Sequence, residues 1–249
     1  MKQGSENAIT LVQFRPAWGL PSGSPFCVKV DCYLRMAGLK FNVEYLDMPQ
    51  KAPLGKLPFI RYQGRDIADS SLIQEALANA APGAKALHKL KAADQARAVL
   101  LQRTLEDHFY FVMVYLRWQV EANWTLTRDA FFAHLPIGIR QIVPGLVRSS
   151  ALKQLQLQGL GRHTEETIIV KGLQDLQAIE SNAGKHGFIL GTAKPAWIDA
   201  SAFAMLWAMD QGPHQSALKD FIRQSKRLQS YLQRMRQDYY PELPSGFVA

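Results

Sequence analysis

The order of apolar and polar positions changes character about a third of the way along the chain. Ile9 to Phe14 (ITLVQF) is a β-branched, apolar run, and Phe41 to Leu46 (FNVEYL) alternates apolar with polar side chains, so both predict strands. Phe59 to Tyr62 (FIRY) follows a proline and ends at Gln63-Gly64, a turn signal before the short run Arg65 to Ile67; this predicts a hairpin. Between the first two strands, Phe26, Val30, Tyr33, Leu34 and Ala37 share one helical stripe from Pro25 to Ala37, with Gly38 placed to stop the helix. Asp69 and Ser70 offer caps to a helix reaching Asn79, which Ala81-Pro82-Gly83 ends. Strand, helix, strand, hairpin and helix in that order make a small α/β unit with a mixed sheet.

Past Pro82 the strand signals vanish. Lys91 to Asn123 is one long helical pattern whose later half is apolar almost all round, which predicts burial on every side. Further helices are predicted at Thr127–Ala133 and Gly138–Gln158, broken by Pro136 and Pro144-Gly145. Others follow at His163–Ser181, Trp197–Met209 and Ser216–Gln237. The expected organisation is an α/β domain over residues 1–82 and an all-helical domain over 83–249.

Composition narrows the class. A chain of 249 residues, 47% of them apolar, buries a sizeable core and is not a disordered polymer. Two cysteines exclude a disulfide framework and point to a reducing compartment. MKQGSENAIT lacks the apolar run of a signal peptide, and no window approaches 18 uninterrupted apolar residues, so a soluble cytoplasmic protein without a transmembrane segment is expected. The formal charge of +8 raises nucleic acid or an anionic surface as partner. Its distribution lowers that prospect: residues 1–80 carry 9 Lys+Arg against 7 Asp+Glu, while 219–236 holds Lys219, Arg223, Lys226, Arg227, Arg234 and Arg236 against Asp220. Interleaved with Leu218, Phe221, Ile222, Leu228, Tyr231, Leu232 and Met235, these predict one amphipathic helix with a solvated basic face, and no nucleic-acid partner.

Three short segments carry candidate chemistry. In Ser22-Gly23-Ser24-Pro25-Phe26-Cys27, Pro25 suits the first helical position and puts Ser24 at the N-cap, among unpaired N–H groups that favour a thiolate or carboxylate. Two readings stand there: Ser24 only caps the helix and Cys27 is a buried thiol, or the hydroxyl serves a ligand. Gly55-Lys56-Leu57-Pro58 enters a strand through a proline; if the Leu57–Pro58 bond is cis, Leu57 turns its main chain toward a peptide-like ligand, and otherwise Pro58 is an ordinary edge proline. Asp69-Ser70 opens a helix and offers either a carboxylate site or a plain cap.

Other patterns fail. Six histidines (88, 108, 134, 163, 186 and 214) show no metal-ligand spacing, so no metal is expected, and Gly159-x-Gly161 lacks a third glycine. No Gly-x-Ser-x-Gly elbow exists, and Glu106-Asp107-His108 in a long helix reads as a buried polar network.

As an ordered set the segments say more. A strand, a Ser-Pro-Phe-Cys helix, a strand, a Leu-Pro strand, a hairpin, an Asp-Ser helix and an all-helical remainder together resemble the glutathione S-transferase family, with its thioredoxin-like N-terminal domain and helical C-terminal domain. The resemblance spans Ile9 to about Tyr240. The strings SPFCVKVDCYLRMAG, GKLPFI, IADSSLI, LEDHFYFVMVYLRW, GLGRHTEETI and GFILGTAKPAWIDA are similar to the branch containing the failed-axon-connections and metaxin-like proteins.

The resemblance implies glutathione as cosubstrate, a small hydrophobic electrophile and a homodimer. It implies that Ser24 hydrogen-bonds the glutathione sulfur, that Leu57, beside Pro58, pairs main-chain groups with the cysteinyl part, and that Asp69 and Ser70 hold the γ-glutamyl end. The electrophile is then expected against Phe109, Tyr110, Met113 and Arg117; the plain alternative for that stripe is core packing. Phe14-Arg15-Pro16 stands where tyrosine-type members carry their tyrosine, and the insertion Ala17 to Gly23 lengthens the loop over the site. Ser24, rather than a cysteine, argues against mixed-disulfide chemistry. Ala196 leaves half of the family's helical-domain capping box, with Asp199 expected to be structural. Three functions follow: a transferase, a transferase-fold binding or assembly protein with little catalysis, and a thiol oxidoreductase using Cys27.

Overall fold

The first strand, β1 (Ile9–Gln13), is buried along almost its whole length because it lies inside the sheet. In the computed structural model, which describes residues 8–184 and 187–243, four strands run in the order β2-β1-β3-β4. β1 pairs parallel with β2 (Phe41–Tyr45) in the register Leu11 with Val43. It pairs antiparallel with β3 (Phe59–Tyr62) in the register Leu11 with Ile60, and β3 forms a hairpin with β4 (Arg65–Ala68). This is the mixed sheet that the strand signals imply, in the thioredoxin-like arrangement that the family resemblance implies. Residues 1–7, in the start searched above for a signal-peptide run, and the stretch after 243 lie outside the described residues, as does His186.

Helix α1 (Pro25–Met36) crosses from β1 to β2, with Cys27, Val28, Val30, Tyr33 and Leu34 buried. Gly38, at φ +66°, closes it: its N–H reaches the Arg35 carbonyl while Leu39 N–H reaches that of Leu34. Helix α2 (Ser70–Ala80) begins at Asp69, whose carboxylate accepts from Ser71 N–H (2.8 Å) and Leu72 N–H (3.1 Å). Pro82 does not simply end it. It opens a further short helix, α3 (Pro82–Leu87), because proline at the first helical position has no N–H to leave unpaired.

The long pattern after Lys91 becomes α4 (Ala92–Arg103), a π-helical stretch Thr104–Phe109, α5 (Tyr110–Val114) and a second π-helical stretch Tyr115–Gln119. The run ends at Val120, short of the predicted Asn123, and α6 (Glu121–Phe132) starts at once. Helix α7 (Ile137–Gln158) corrects the expected break at Pro144-Gly145: it runs through the proline. Tertiary anchoring holds its second half in line, with Arg148 donating to the Trp118 carbonyl (2.8 Å) and pairing with Glu121 (2.7 Å).

Helix α8 (Glu165–Asn182) is capped by Thr164, and α9 (Trp197–Gln211) is buried over thirteen consecutive residues and packs across α1. In the first turn of α9, Asp199 accepts from Ala196 N–H (2.8 Å) and Ile189 N–H (2.7 Å), the structural role expected for it. Burial raises its carboxyl to about 6 against those two N–H groups.

The last predicted helix is two, α10 (Ala217–Gln224) and α11 (Lys226–Tyr239). Ser225 leaves helical geometry between them and caps the second through Leu228 N–H (3.1 Å). The uniform basic face needs the same correction: Lys219 is buried and donates to the Gly212 carbonyl at 2.6 Å. No helix among the described residues is long and apolar enough to cross a membrane.

Candidate functional site

Helix α1 gathers the candidate residues of the α/β half. Ser24 occupies the N-cap with extended backbone (φ −97°, ψ 125°), yet its side chain accepts no capping hydrogen bond. It is half-buried, and the Cys27 thiol lies against its hydroxyl on the inner side, together with Ser22 and the Phe14 main chain. Cys27 packs with Val12, Ala52, Leu57 and Phe59, which ties the start of α1 to the entry of β3. The Leu57–Pro58 bond is cis, and Leu57 is buried at 7% exposure. Among the described residues, no loop or side-chain group hydrogen-bonds the Leu57 main chain.

Asp69 stands at φ +74°, a conformation uncommon for a residue with a side chain, and it aims its carboxylate across the first turn of α2. Ser70, beside it, is 5% exposed. Its hydroxyl accepts from Lys29 Nζ (3.1 Å), and Ser71 Oγ accepts from the same ammonium (3.0 Å). Lys29 has no exposed surface and pairs with Glu106 at 2.8 Å. Burial lowers the affinity of its amine for a proton, and Glu106 restores part of it. Gln102 donates to Ser71 Oγ (2.9 Å) and Ser201 to Glu106 (2.6 Å), so the network under α2 is anchored in the helical half.

The π-helical stretch Thr104–Phe109 contains Glu106, and the same stretch brings His108 to Asp175. The Glu106-Asp107-His108 string is thus a buried network and a separate surface pair. Lys29 is a residue the sequence reading passed over. The available signal was a charge flanked by Val28 and Val30 within the otherwise apolar run Pro25 to Val30.

The electrophile side is built differently. Phe109 has no exposed surface and belongs to the core, Met113 is 2% exposed, and Arg117 is 6% exposed. Tyr110 is half-buried and meets Phe26 edge-on at 4.7 Å. The structure therefore puts Tyr110 next to the start of α1 and turns Phe109 away from it.

Arg117 donates to the carbonyls of Gly23 (3.2 Å) and Ala208 (3.2 Å) and lies 4.8 Å from the Trp18 ring. Burial lowers its guanidinium to about 10, which Tyr110 partly opposes. The inserted loop folds back on itself through Ala17 and Leu20, with Trp18 in left-handed geometry (φ +55°). Trp18 packs on Phe131 (4.9 Å) and His214 (5.2 Å), and Gly23 has no room for a side chain, since a Cβ would sit 2.6 Å from the Phe131 ring. His214 bonds Thr127 Oγ1 (2.9 Å) and is driven down to about 3 by burial, then by the charges of Arg117 and Lys219. What remains between Met113, Arg117, Met209 and His214 is a cavity of about 10 Å³, room for one water.

Cys27 is pushed up to about 11 by burial, against the hydroxyls of Ser22 and Ser24 and the Phe14 main chain. A thiol so placed is protonated at neutral pH and a poor nucleophile, which opposes the oxidoreductase reading. Among the described residues no cluster of His, Cys, Asp or Glu could hold a metal ion.

A thioredoxin-like sheet, a serine at the N-cap position of the first helix, a cis-proline strand entry, an acidic start to the second helix and a helical second half define the class of glutathione S-transferase folds. The family models agree, that for the glutathione S-transferase N-terminal domain matching residues 25–124 and that for the C-terminal domain residues 172–235. The chain is 32% identical over 238 residues to isoprene-epoxide–glutathione S-transferase of Rhodococcus sp. (strain AD45), a match covering 93% of this chain and 99% of the relative. It belongs to the glutathione S-transferase family.

It is also similar to Failed axon connections of Drosophila melanogaster (29% identical; 95% of this chain, 59% of the relative). Metaxin-1 of Sus scrofa is 27% identical, over 90% of this chain and 73% of the relative. A glutathione S-transferase of Methylobacillus flagellatus with glutathione bound shares the fold at a TM-score of 0.62 and 13% identity, over 96% of this chain and all of that one.

Proposed function

We propose that this protein binds glutathione along Ser24, Leu57 and Asp69–Ser70 and conjugates its thiolate to a small electrophile. The observation that carries the reading is the hydroxyl of Ser24: it sits at a helix N-cap without capping, so its donor is available to a sulfur anion beside the positive end of α1. In this reading Ser24 stabilises the thiolate and attacks nothing. The thiol proton leaves to solvent, sulfur bonds to the electrophilic carbon, and the leaving atom on that carbon takes the electron pair. The name of the Rhodococcus relative makes an epoxide the first class to try; there the ring C–O bond breaks and water protonates the alkoxide. The proposal extends to a cytoplasmic homodimer, supported by two buried thiols and by exposed Leu72 and Leu100 on the neighbouring helices α2 and α4.

The experiment is glutathione binding by calorimetry together with conjugation to a small epoxide. Wild type is expected to bind and to turn over. Ser24→Ala is expected to keep binding, to raise the pKa of the bound thiol by about one unit and to lower turnover on the order of a hundredfold. Absence of glutathione binding in the wild type would sink the reading.

A second reading, a binding or assembly protein on the same fold, is favoured by one observation: Trp18 packs on Phe131 with Arg117 over its ring, and the cavity that Arg117 lines beside them is only about 10 Å³. It predicts no conjugation of any epoxide, at any pH.

A further inference from the structure

A fully buried ammonium stands under the helix start that the preceding reading assigns to the γ-glutamyl group. Lysine has three N–H donors and no acceptor. Lys29 spends them on Glu106 Oε1 (2.8 Å), Ser70 Oγ (3.1 Å) and Ser71 Oγ (3.0 Å). Ser71 Oγ also accepts from Gln102 Nε2 (2.9 Å), so both of its lone-pair sites are filled. A hydroxyl that accepts from a cation on its inner side cannot turn its proton that way. Among the described residues, the hydroxyl protons of Ser70 and Ser71 have no acceptor, although Ser70 is 5% exposed. A buried donor without an acceptor is costly, and an anion at the α2 N-terminus removes that cost.

We propose that Lys29 is a positioning residue for glutathione: by occupying Ser70 and Ser71 from below it fixes their hydroxyls as donors, which selects the α-carboxylate of the γ-glutamyl group. Glu106 neutralises the ammonium so that it can remain buried, while Ser201 and Gln102 hold Glu106 and Ser71 from the helical half. Carboxylate recognition in the α/β half is therefore set by residues of α4 and its π-helical extension. This inference rests on the glutathione reading above.

The test compares glutathione with an analogue in which 4-aminobutanoyl replaces γ-glutamyl, so that only the α-carboxylate is missing. Calorimetry on wild type is expected to show at least a tenfold preference for glutathione, the scale of a hydrogen bond to a charged group. In Lys29→Gln/Glu106→Gln, which removes both charges together and offers an amide oxygen beneath the serines, that preference is expected to fall below about threefold while affinity for the analogue stays near its wild-type value. A purely structural role for Lys29 would weaken both ligands alike and leave their ratio unmoved. Should the double variant fail to fold, Lys29→Gln is read the same way, since its amide oxygen lets the hydroxyl flip inward while its NH2 still faces Glu106.

A folded double variant that keeps the wild-type preference overturns the proposal, as does a wild type that binds glutathione and analogue equally. In both of those cases the glutathione reading survives. A wild type that binds neither ligand removes that reading and this inference with it.

Discussion

The two sides of the cleft are made in opposite ways. On the side proposed for glutathione, Ser24, Leu57 and Asp69–Ser70 stand at the entries of a helix, a strand and another helix, and no loop or side-chain group among the described residues hydrogen-bonds the Leu57 main chain. On the side proposed for the electrophile, Trp18, Arg117, Phe131 and His214 come from an inserted loop and three distant segments, and they pack rings and a guanidinium together. One side is specified locally and left open; the other is specified by packing and closed. The entries of one side are thus legible in local sequence while the other side is set by tertiary packing, and stability and binding should respond to different substitutions in the two halves.

The largest expected effect falls on the closed side. His214 is neutral in the folded protein, with a pKa of about 3, against 6.5 for an ordinary histidine. A depressed value means the unfolded chain binds the proton first, so the stability His214 contributes is complete above pH 6.5 and is lost as pH falls toward 3. Asp199 runs the other way: its raised value favours the folded state in acid, between about 6 and 3.8. Comparing wild type with His214→Gln isolates the histidine. Urea unfolding at pH 7 and pH 4 should show the variant gaining about 3 kcal/mol on wild type over that interval, at about 1.4 kcal/mol per unit. Parallel profiles would mean that His214 is hydrated and that the loop does not seal the cleft.

Next comes Arg117→Met. It removes the donors to the Gly23 and Ala208 carbonyls and the cation over Trp18, at a cost of about 2–4 kcal/mol for two buried acceptors left unpaired. If the two sides are as separate as their construction suggests, glutathione affinity of the folded variant should change less than about threefold. A loss of affinity as large as the loss of stability would show that the Gly23 carbonyl contact positions Ser24, and the two-sided description would fail.

This separation also explains what could be read without coordinates. Pro25 after Ser24, Leu57-Pro58 ahead of a strand, Asp69-Ser70 before an apolar run and Gly38 after one are local signals, each tied to a backbone conformation that the structure contains. The order of elements along the chain and the mixed sheet followed from them. The helical half was legible as helices but not as a surface. Periodicity marks Phe109, Tyr110, Met113 and Arg117 as a stripe, and it cannot say that Phe109 joins the core while Arg117 spans two carbonyls more than ninety residues away from it in sequence. Lys219 looked like a solvated charge because its partner, the Gly212 carbonyl, belongs to the turn before its helix. Pro144 looked like a break because the Arg148 contacts that hold α7 straight are tertiary. Lys29 is the instructive omission: a lysine in a helix is ordinarily solvated, and its partner Glu106 lies 77 positions on.

The smallest predicted effect discriminates most sharply between the two readings of Ser24. Asp69 and Ser24 are both N-caps by position, but only Asp69 accepts hydrogen bonds from its helix. Asp69→Ala should therefore cost about 1–2 kcal/mol in urea unfolding, as loss of a working cap does. Ser24→Ala should fall within about 0.5 kcal/mol of wild type, as a substitution away from any such feature does. A cost of about 1 kcal/mol or more for Ser24→Ala would make the serine a structural cap in solution and leave the thiolate site without its donor. A neutral substitution that nonetheless changes the acidity of bound glutathione would leave Ser24 no role except the ligand.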